Sequence, residues 1–149
     1  MTERHTRLLP ASAARLETVH ARLASTLVVD SRRVLSHGDL SADQVLVDGG
    51  EILLADFDRT TTAPPGLDAG GFVASDLLET PSRARGLREP FLEGYAAAGG
   101  VPVEDLPEWV AFQLLDRLDE PFRACSPDWR SEMEDRLGLL ERVLDGGLA

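Results

Sequence analysis

An α+β fold, mostly helical and carrying a small β-hairpin, is predicted by three features of the sequence: amphipathic stripes at both ends, one compact β segment over 33–58, and no internal repeat or low-complexity tract. The first helix is expected over 11–26, where Leu16, Val19, Leu23 and Leu27 recur at three- and four-residue spacing and form one apolar stripe that needs a partner. Three short strands follow: Arg33–Ser36, Gln44–Val47 and Glu51–Ala55. The last two are joined by Asp48-Gly49-Gly50, whose glycines permit positive φ, and so predict a hairpin. Beyond Pro64-Pro65-Gly66 a helical subdomain is expected over 67–145: Asp68–Glu79, a segment around Arg83–Ala98 interrupted by Pro90, Pro107–Phe122 and Asp128–Leu144. Gly99-Gly100 and Gly146-Gly147 follow helical runs where a left-handed cap is wanted, and Pro107 and Pro127 sit where a first turn loses no hydrogen bond. Trp109, Leu114, Leu115 and Leu118, and then Trp129, Met133, Leu137, Leu140 and Leu144, are core stripes, so the aromatic residues are given no functional role. Residues 1–149 are expected to form one domain.

The chain has 149 residues, with 15 arginines, no lysine and 26 acidic side chains, a formal charge of −11. A chain of this length buries roughly 70% of its unfolded surface, so it needs neither disulfides nor a structural metal to fold. The single cysteine, Cys125, excludes an internal disulfide and a multi-cysteine zinc site, and a cytoplasmic location is expected. The polar start Met1-Thr2-Glu3-Arg4-His5 and hydrophobic runs no longer than Ile52–Ala55 point away from a signal peptide and a membrane. Excess negative charge repels phosphate backbones, which removes nucleic acid as a partner. It attracts cations, although the same charge also serves solubility.

The chemistry is concentrated in the β segment. His37-Gly38-Asp39 follows the first strand, Asp43-Gln44 precedes the second, and Asp56-Phe57-Asp58 follows the third. Strand ends that face one way gather their side chains, so Asp39, Gln44 and Asp56 are expected to converge on one small volume. Clustered carboxylates there call for a cation, and an all-oxygen donor set suits Mg²⁺, which completes its shell with waters and phosphate oxygens.

The stretch His37-Gly38-Asp39-Leu40-Ser41-Ala42-Asp43-Gln44-Val45-Leu46-Val47-Asp48, followed by Leu54-Ala55-Asp56-Phe57-Asp58, resembles the catalytic and metal-binding loops of the aminoglycoside phosphotransferase and choline kinase-like family, a branch of the protein-kinase fold. The resemblance implies a kinase-like C-terminal lobe. It implies Asp39 as the catalytic aspartate that receives the acceptor hydroxyl, Asp56 as the Mg²⁺ ligand against the nucleotide phosphates, and Gln44 in the place of the family's usual asparagine. It further implies that Asp68 accepts backbone N–H groups of the catalytic loop and that His37 orders that loop by packing and hydrogen bonding. Asp43 and Asp58 are expected as turn or supporting residues near the metal, and Asp48 as the hairpin turn.

The same design needs a glycine-rich loop over the nucleotide phosphates and a cation, normally lysine, on them. No such loop precedes His37, no lysine exists, and Arg4, Arg7, Arg15 and Arg22 are expected in the tail and first helix. The nucleotide lobe is therefore expected elsewhere: truncated from the frame, lost, or on a complementing N-lobe polypeptide, with ATP used only when that lobe is present. The chain alone is expected to be a very poor kinase, with an apolar, sticky surface around the hairpin that favours a partner or a homo-oligomer. The acceptor is expected to be a small hydroxyl compound, with a cationic one favoured if Glu79, Glu89, Glu93, Asp116, Asp119 and Glu120 form an acidic face. Two other classes compete. One is a non-catalytic remnant that binds a partner. The other rests on Asp56-Phe57-Asp58-Arg59-Thr60, which resembles the first motif of haloacid-dehalogenase-type phosphatases, with Asp56 as nucleophile and Asp58 as acid/base in a parallel α/β sheet.

Overall fold

A computed structural model describes residues 2–27, 32–79, 86–101, 103, 105–146 and 148. The elements run α1 (Thr2–Leu8), α2 (Ala13–Thr26), β1 (Val34–Ser36), β2 (Val45–Asp48), β3 (Glu51–Leu54), β4 (Thr61–Ala63), α3 (Gly66–Leu78), α4 (Arg88–Ala97), α5 (Leu106–Asp116), α6 (Glu120–Arg123) and α7 (Trp129–Leu144). The fold is mostly helical with two small two-stranded antiparallel sheets, β1 with β4 and β2 with β3. The core lies among the helices: Leu16, Val19 and Leu23 of α2 meet Val73 of α3, Val110, Leu114 and Leu115 of α5, and Met133, Leu137 and Leu140 of α7. Both sequence stripes are in that core, with Trp129 partly buried at its edge.

The hairpin forms in the expected register, Val45 opposite Leu54 through Asp48 opposite Glu51. Its two-residue loop places Gly49 at φ 56° and Gly50 at φ 90°, the left-handed pair that matches the strand twist. Neither face of this hairpin is covered: Val47 is 72% and Ile52 70% exposed, and Leu46, Leu53 and Leu54 are exposed beside them.

Several boundaries differ from expectation for identifiable reasons. The helix expected from Ala11 starts at Ala13, because Pro10–Ser12 form a 3₁₀ turn ahead of it. Residues 80–85, where the segment beginning at Arg83 was expected to start, lie outside the described residues, as does Gly147; the helix is described from Arg88, and Pro90 in its first turn interrupts nothing. The single helix expected over Pro107–Phe122 is two. Pro121 carries no N–H for the Arg117 carbonyl and its ring clashes there, so α5 ends at Asp116 and α6 starts at Glu120. The released Arg117 carbonyl accepts a hydrogen bond from Arg136 Nη1 at 2.6 Å instead.

Helices α3 and α5 meet backbone to side chain, because α3 offers glycines at the crossing. A Cβ on Gly66 would stand 2.1 Å from the Trp109 ring and one on Gly70 2.7 Å from the Trp109 carbonyl carbon. Buried Gln113 of α5 completes the contact by donating to the Leu67 carbonyl at 3.0 Å, which satisfies a polar group that burial would otherwise penalise. This clamp fixes the first turn of α3, and Asp68 with it. Among the described residues no helix is long and apolar enough to cross a membrane.

Candidate active site

Strand β1 delivers the chain into His37-Gly38-Asp39, and three anchors fix the loop. The backbone N–H groups of His37 and Gly38 donate to the two carboxylate oxygens of Asp68 at 2.7 and 2.8 Å. Gly38 sits at φ 88°, where a Cβ would fall 2.1 Å from the Arg59 carbonyl oxygen, so this close approach admits only glycine. The buried His37 ring donates from Nε2 to the Ala55 carbonyl at 2.7 Å and packs on the Phe57 ring with centroids 4.8 Å apart.

That histidine ties the Asp39 loop to the exit of β3. The hairpin ladder runs one pair beyond its strands, since Ala55 N–H donates to the Gln44 carbonyl at 2.9 Å. Asp56 comes next, exposed and in the left-handed region at φ 60° and ψ 59°. A non-glycine residue held there is strained, and aspartate is among the few that tolerate it. Gln44 ends a 3₁₀ turn (Ala42–Gln44) in which exposed Asp43 accepts a hydrogen bond from the Ser41 hydroxyl. Asp58 lies exposed in the 3₁₀ turn Phe57–Arg59.

Asp39 and Gln44 line one cavity of about 300 Å³ with Ser41, Asp43, Arg117 and Arg136; Asp56 is not among its walls. Among the described residues no three His, Cys, Asp or Glu side chains stand close enough to cage a metal. Asp39 is instead gripped by arginines: Oδ1 accepts from Arg117 Nη2 at 2.9 Å, and Oδ2 lies 3.5 Å from Arg59 Nη1.

Sequence reasoning missed this pairing. Arg59 stands in the same short motif as Asp56 and so left a local trace; Arg117, at the end of α5, and Arg136, within α7, left none, because they meet this site only through tertiary packing. Arg4, expected in a tail, lies on α1 and pairs with Asp119 at 2.7 Å. The acidic face is also answered by arginines: Asp119 is buried between Arg4 and Arg123, Glu120 pairs with Arg136 at 2.8 Å, and Glu89 with Arg88 at 2.6 Å.

An α+β fold whose Asp-bearing loops are bound together at the end of one small hairpin, with helices beneath, defines the class. Residues 1–130 match the phosphotransferase enzyme family, APH, and the chain belongs to that family. No curated protein and no solved structure matches the chain.

Proposed function

We propose that the chain is the kinase-like C-terminal lobe of an ATP-dependent small-molecule kinase, transferring a phosphoryl group to an acceptor hydroxyl in the cytoplasm and nearly inactive without its nucleotide lobe. Membership of the phosphotransferase family supports the reaction class. The observation that carries the finer reading is the His37 bridge to Ala55, because it couples the loop bearing Asp39 to the residue before Asp56.

Asp39 accepts the proton of the acceptor hydroxyl as that oxygen forms its bond to the γ-phosphorus and the bond to the departing diphosphate breaks. His37 and Asp68 are positioning residues: they fix the loop so that Asp39 need not reorganise during transfer. Asp56 and Gln44 would hold Mg²⁺. One carboxylate and one amide oxygen fit a magnesium ion that takes the rest of its shell from water and phosphate, and they do not fit an ion caged by protein alone. When bound, Mg²⁺ neutralises phosphate charge and aligns the β- and γ-oxygens. These 149 residues contain no lysine, and no glycine-rich loop precedes His37. In this reading a nucleotide lobe supplies both, and the exposed hairpin with Val47 and Ile52 is the face that meets it.

Thermal unfolding with and without Mg²⁺ or Mn²⁺ tests the metal half of this proposal. A ligand that binds only the folded state at a hundred times its Kd stabilises by about 2.7 kcal/mol. Wild type should gain stability, and Asp56→Asn, which keeps the left-handed backbone accessible, should gain none. Equal responses in both would remove Asp56 from the site and favour a non-catalytic, partner-binding module. The phosphatase alternative needs a parallel sheet behind Asp56, whereas β3 lies in an antiparallel hairpin; unaided hydrolysis of p-nitrophenyl phosphate would revive it.

A further inference from the structure

Arginines are concentrated around Asp39 in a protein of charge −11. A second cavity, about 390 Å³, is also lined by Asp39 and Arg117, and among the described residues its wall has no apolar one. Four of the 15 arginines reach it, Arg4, Arg59, Arg117 and Arg123, against the three acids Asp39, Asp116 and Glu120. Arg4 and Arg123 are already paired with buried Asp119, which leaves Arg59 and Arg117 as the two cations of this cavity that stand on Asp39.

The Arg117 side chain, at the C-terminal end of α5, is only 11% exposed and its guanidinium reaches Asp39 at 2.9 Å, whereas Arg59 is 64% exposed and sits at the looser 3.5 Å. With Oδ1 accepting from Arg117 and Arg59 standing beside Oδ2, an acceptor hydroxyl must compete with two guanidiniums for the same carboxylate oxygens. The pair is nevertheless exchangeable: a second carboxylate entering this cavity offers both arginines the same bidentate partner.

We propose that the acceptor is an anionic hydroxy compound of the hydroxy-acid class, whose carboxylate takes Arg117 and Arg59 while its hydroxyl meets Asp39. Substrate binding then frees Asp39: the arginines transfer from its oxygens to the incoming carboxylate, and those oxygens are opened to the acceptor hydroxyl. An acceptor without an anion leaves Asp39 locked, which makes Arg117 and Arg59 the specificity-determining residues. This inference rests on the role proposed for Asp39, but it does not depend on Mg²⁺ binding at Asp56.

Calorimetric titration of the purified chain with matched pairs tests it: D-glycerate against glycerol, L-tartrate against L-threitol, and D-gluconate against D-glucitol, with choline and D-glucosamine as cationic probes. At least one acid should bind tenfold or more tightly than its alcohol and than either cation. Arg59→Gln, a change at an exposed side chain, should weaken that acid about tenfold, and Arg117→Gln should do so at least as strongly. Asp39→Asn should strengthen it severalfold, since the internal competitor has lost its charge; an arginine that served only the fold would not produce this gain. Acids that bind no better than their alcohols, tighter binding of either cation, or an affinity unmoved by Arg59→Gln and Asp39→Asn would each overturn the inference. The Mg²⁺-dependent stabilisation lost in Asp56→Asn would survive all of these outcomes, so failure here is distinguishable from failure of the metal site.

Discussion

Asp68 accepts the backbone N–H of His37 at 2.7 Å across 31 positions of sequence, and its other oxygen accepts Gly38 at 2.8 Å. The loop that presents Asp39 is thus held from below by the first turn of α3, which is itself clamped against Trp109. Two backbone donors to one carboxylate are charge-assisted bonds, and deleting the acceptor leaves both donors in a partly buried place. Asp68→Ala should therefore cost about 2–4 kcal/mol in urea unfolding, and Asp68→Asn, which keeps one acceptor oxygen, about half of that. A loss under about 1 kcal/mol for Asp68→Ala would mean that water replaces the carboxylate and that the loop is held by His37 alone.

Helix α3 can hold the loop only if it stays against α5, and two glycines with opposite surroundings test that dependence. Gly70→Ala drives a methyl group to 2.7 Å from the Trp109 backbone, which cannot turn aside as a side-chain end would. The helices must separate, at a cost of about 3 kcal/mol, the upper end for overpacking. Gly94 of α4 has nothing among the described residues within 4 Å of such a methyl, so Gly94→Ala should stabilise by about 0.5–1 kcal/mol through helix propensity. Equal effects of the two substitutions, read from denaturation midpoints, would show that the α3–α5 crossing yields without cost.

What the sequence disclosed and what it concealed divide along physical lines. The β2–β3 hairpin and the stripes of α2, α5 and α7 are local patterns of period and turn chemistry, visible without knowing what they touch. Strand β4 is three residues, Thr61-Thr62-Ala63, whose reason to be a strand is β1, from 25 positions upstream at the Ser36–Thr61 pair to 29 at Val34–Ala63. Helix α1 escaped notice because it buries a histidine, His5, where a stripe would show leucine. The family motif exposed Asp39, Gln44, Asp56 and Asp68 as candidates, since each lies near a strand or helix end. Arg117 was silent, because its contact with Asp39 joins the end of α5 to a loop 78 positions away, and no local pattern announces such a pairing.

The buried histidine also makes stability depend on pH. His5 is fully enclosed, and among the described residues neither of its ring nitrogens meets a hydrogen-bond partner; His20 Nε2 is likewise buried without one there. Burial lowers the pKa of both below the usual 6.5, and for His5 it outweighs the opposing pull of the Asp119 carboxylate. In the unfolded chain both rings take up a proton near pH 6.5, while the folded chain resists doing so until lower pH. The unfolded state therefore binds more protons in that interval, and the stability that is complete above pH 6.5 is lost as pH falls toward the folded-state values. Each histidine contributes a slope of at most about 1.4 kcal/mol per pH unit. Urea unfolding at pH 7.5 and 5.5 should show wild type weaker at the lower pH, and His5→Leu, which keeps an apolar group in the site, should lose much of that difference. An unchanged difference in His5→Leu and in His20→Gln would assign the acid sensitivity to other groups and leave the enclosure of α1 without a role in it.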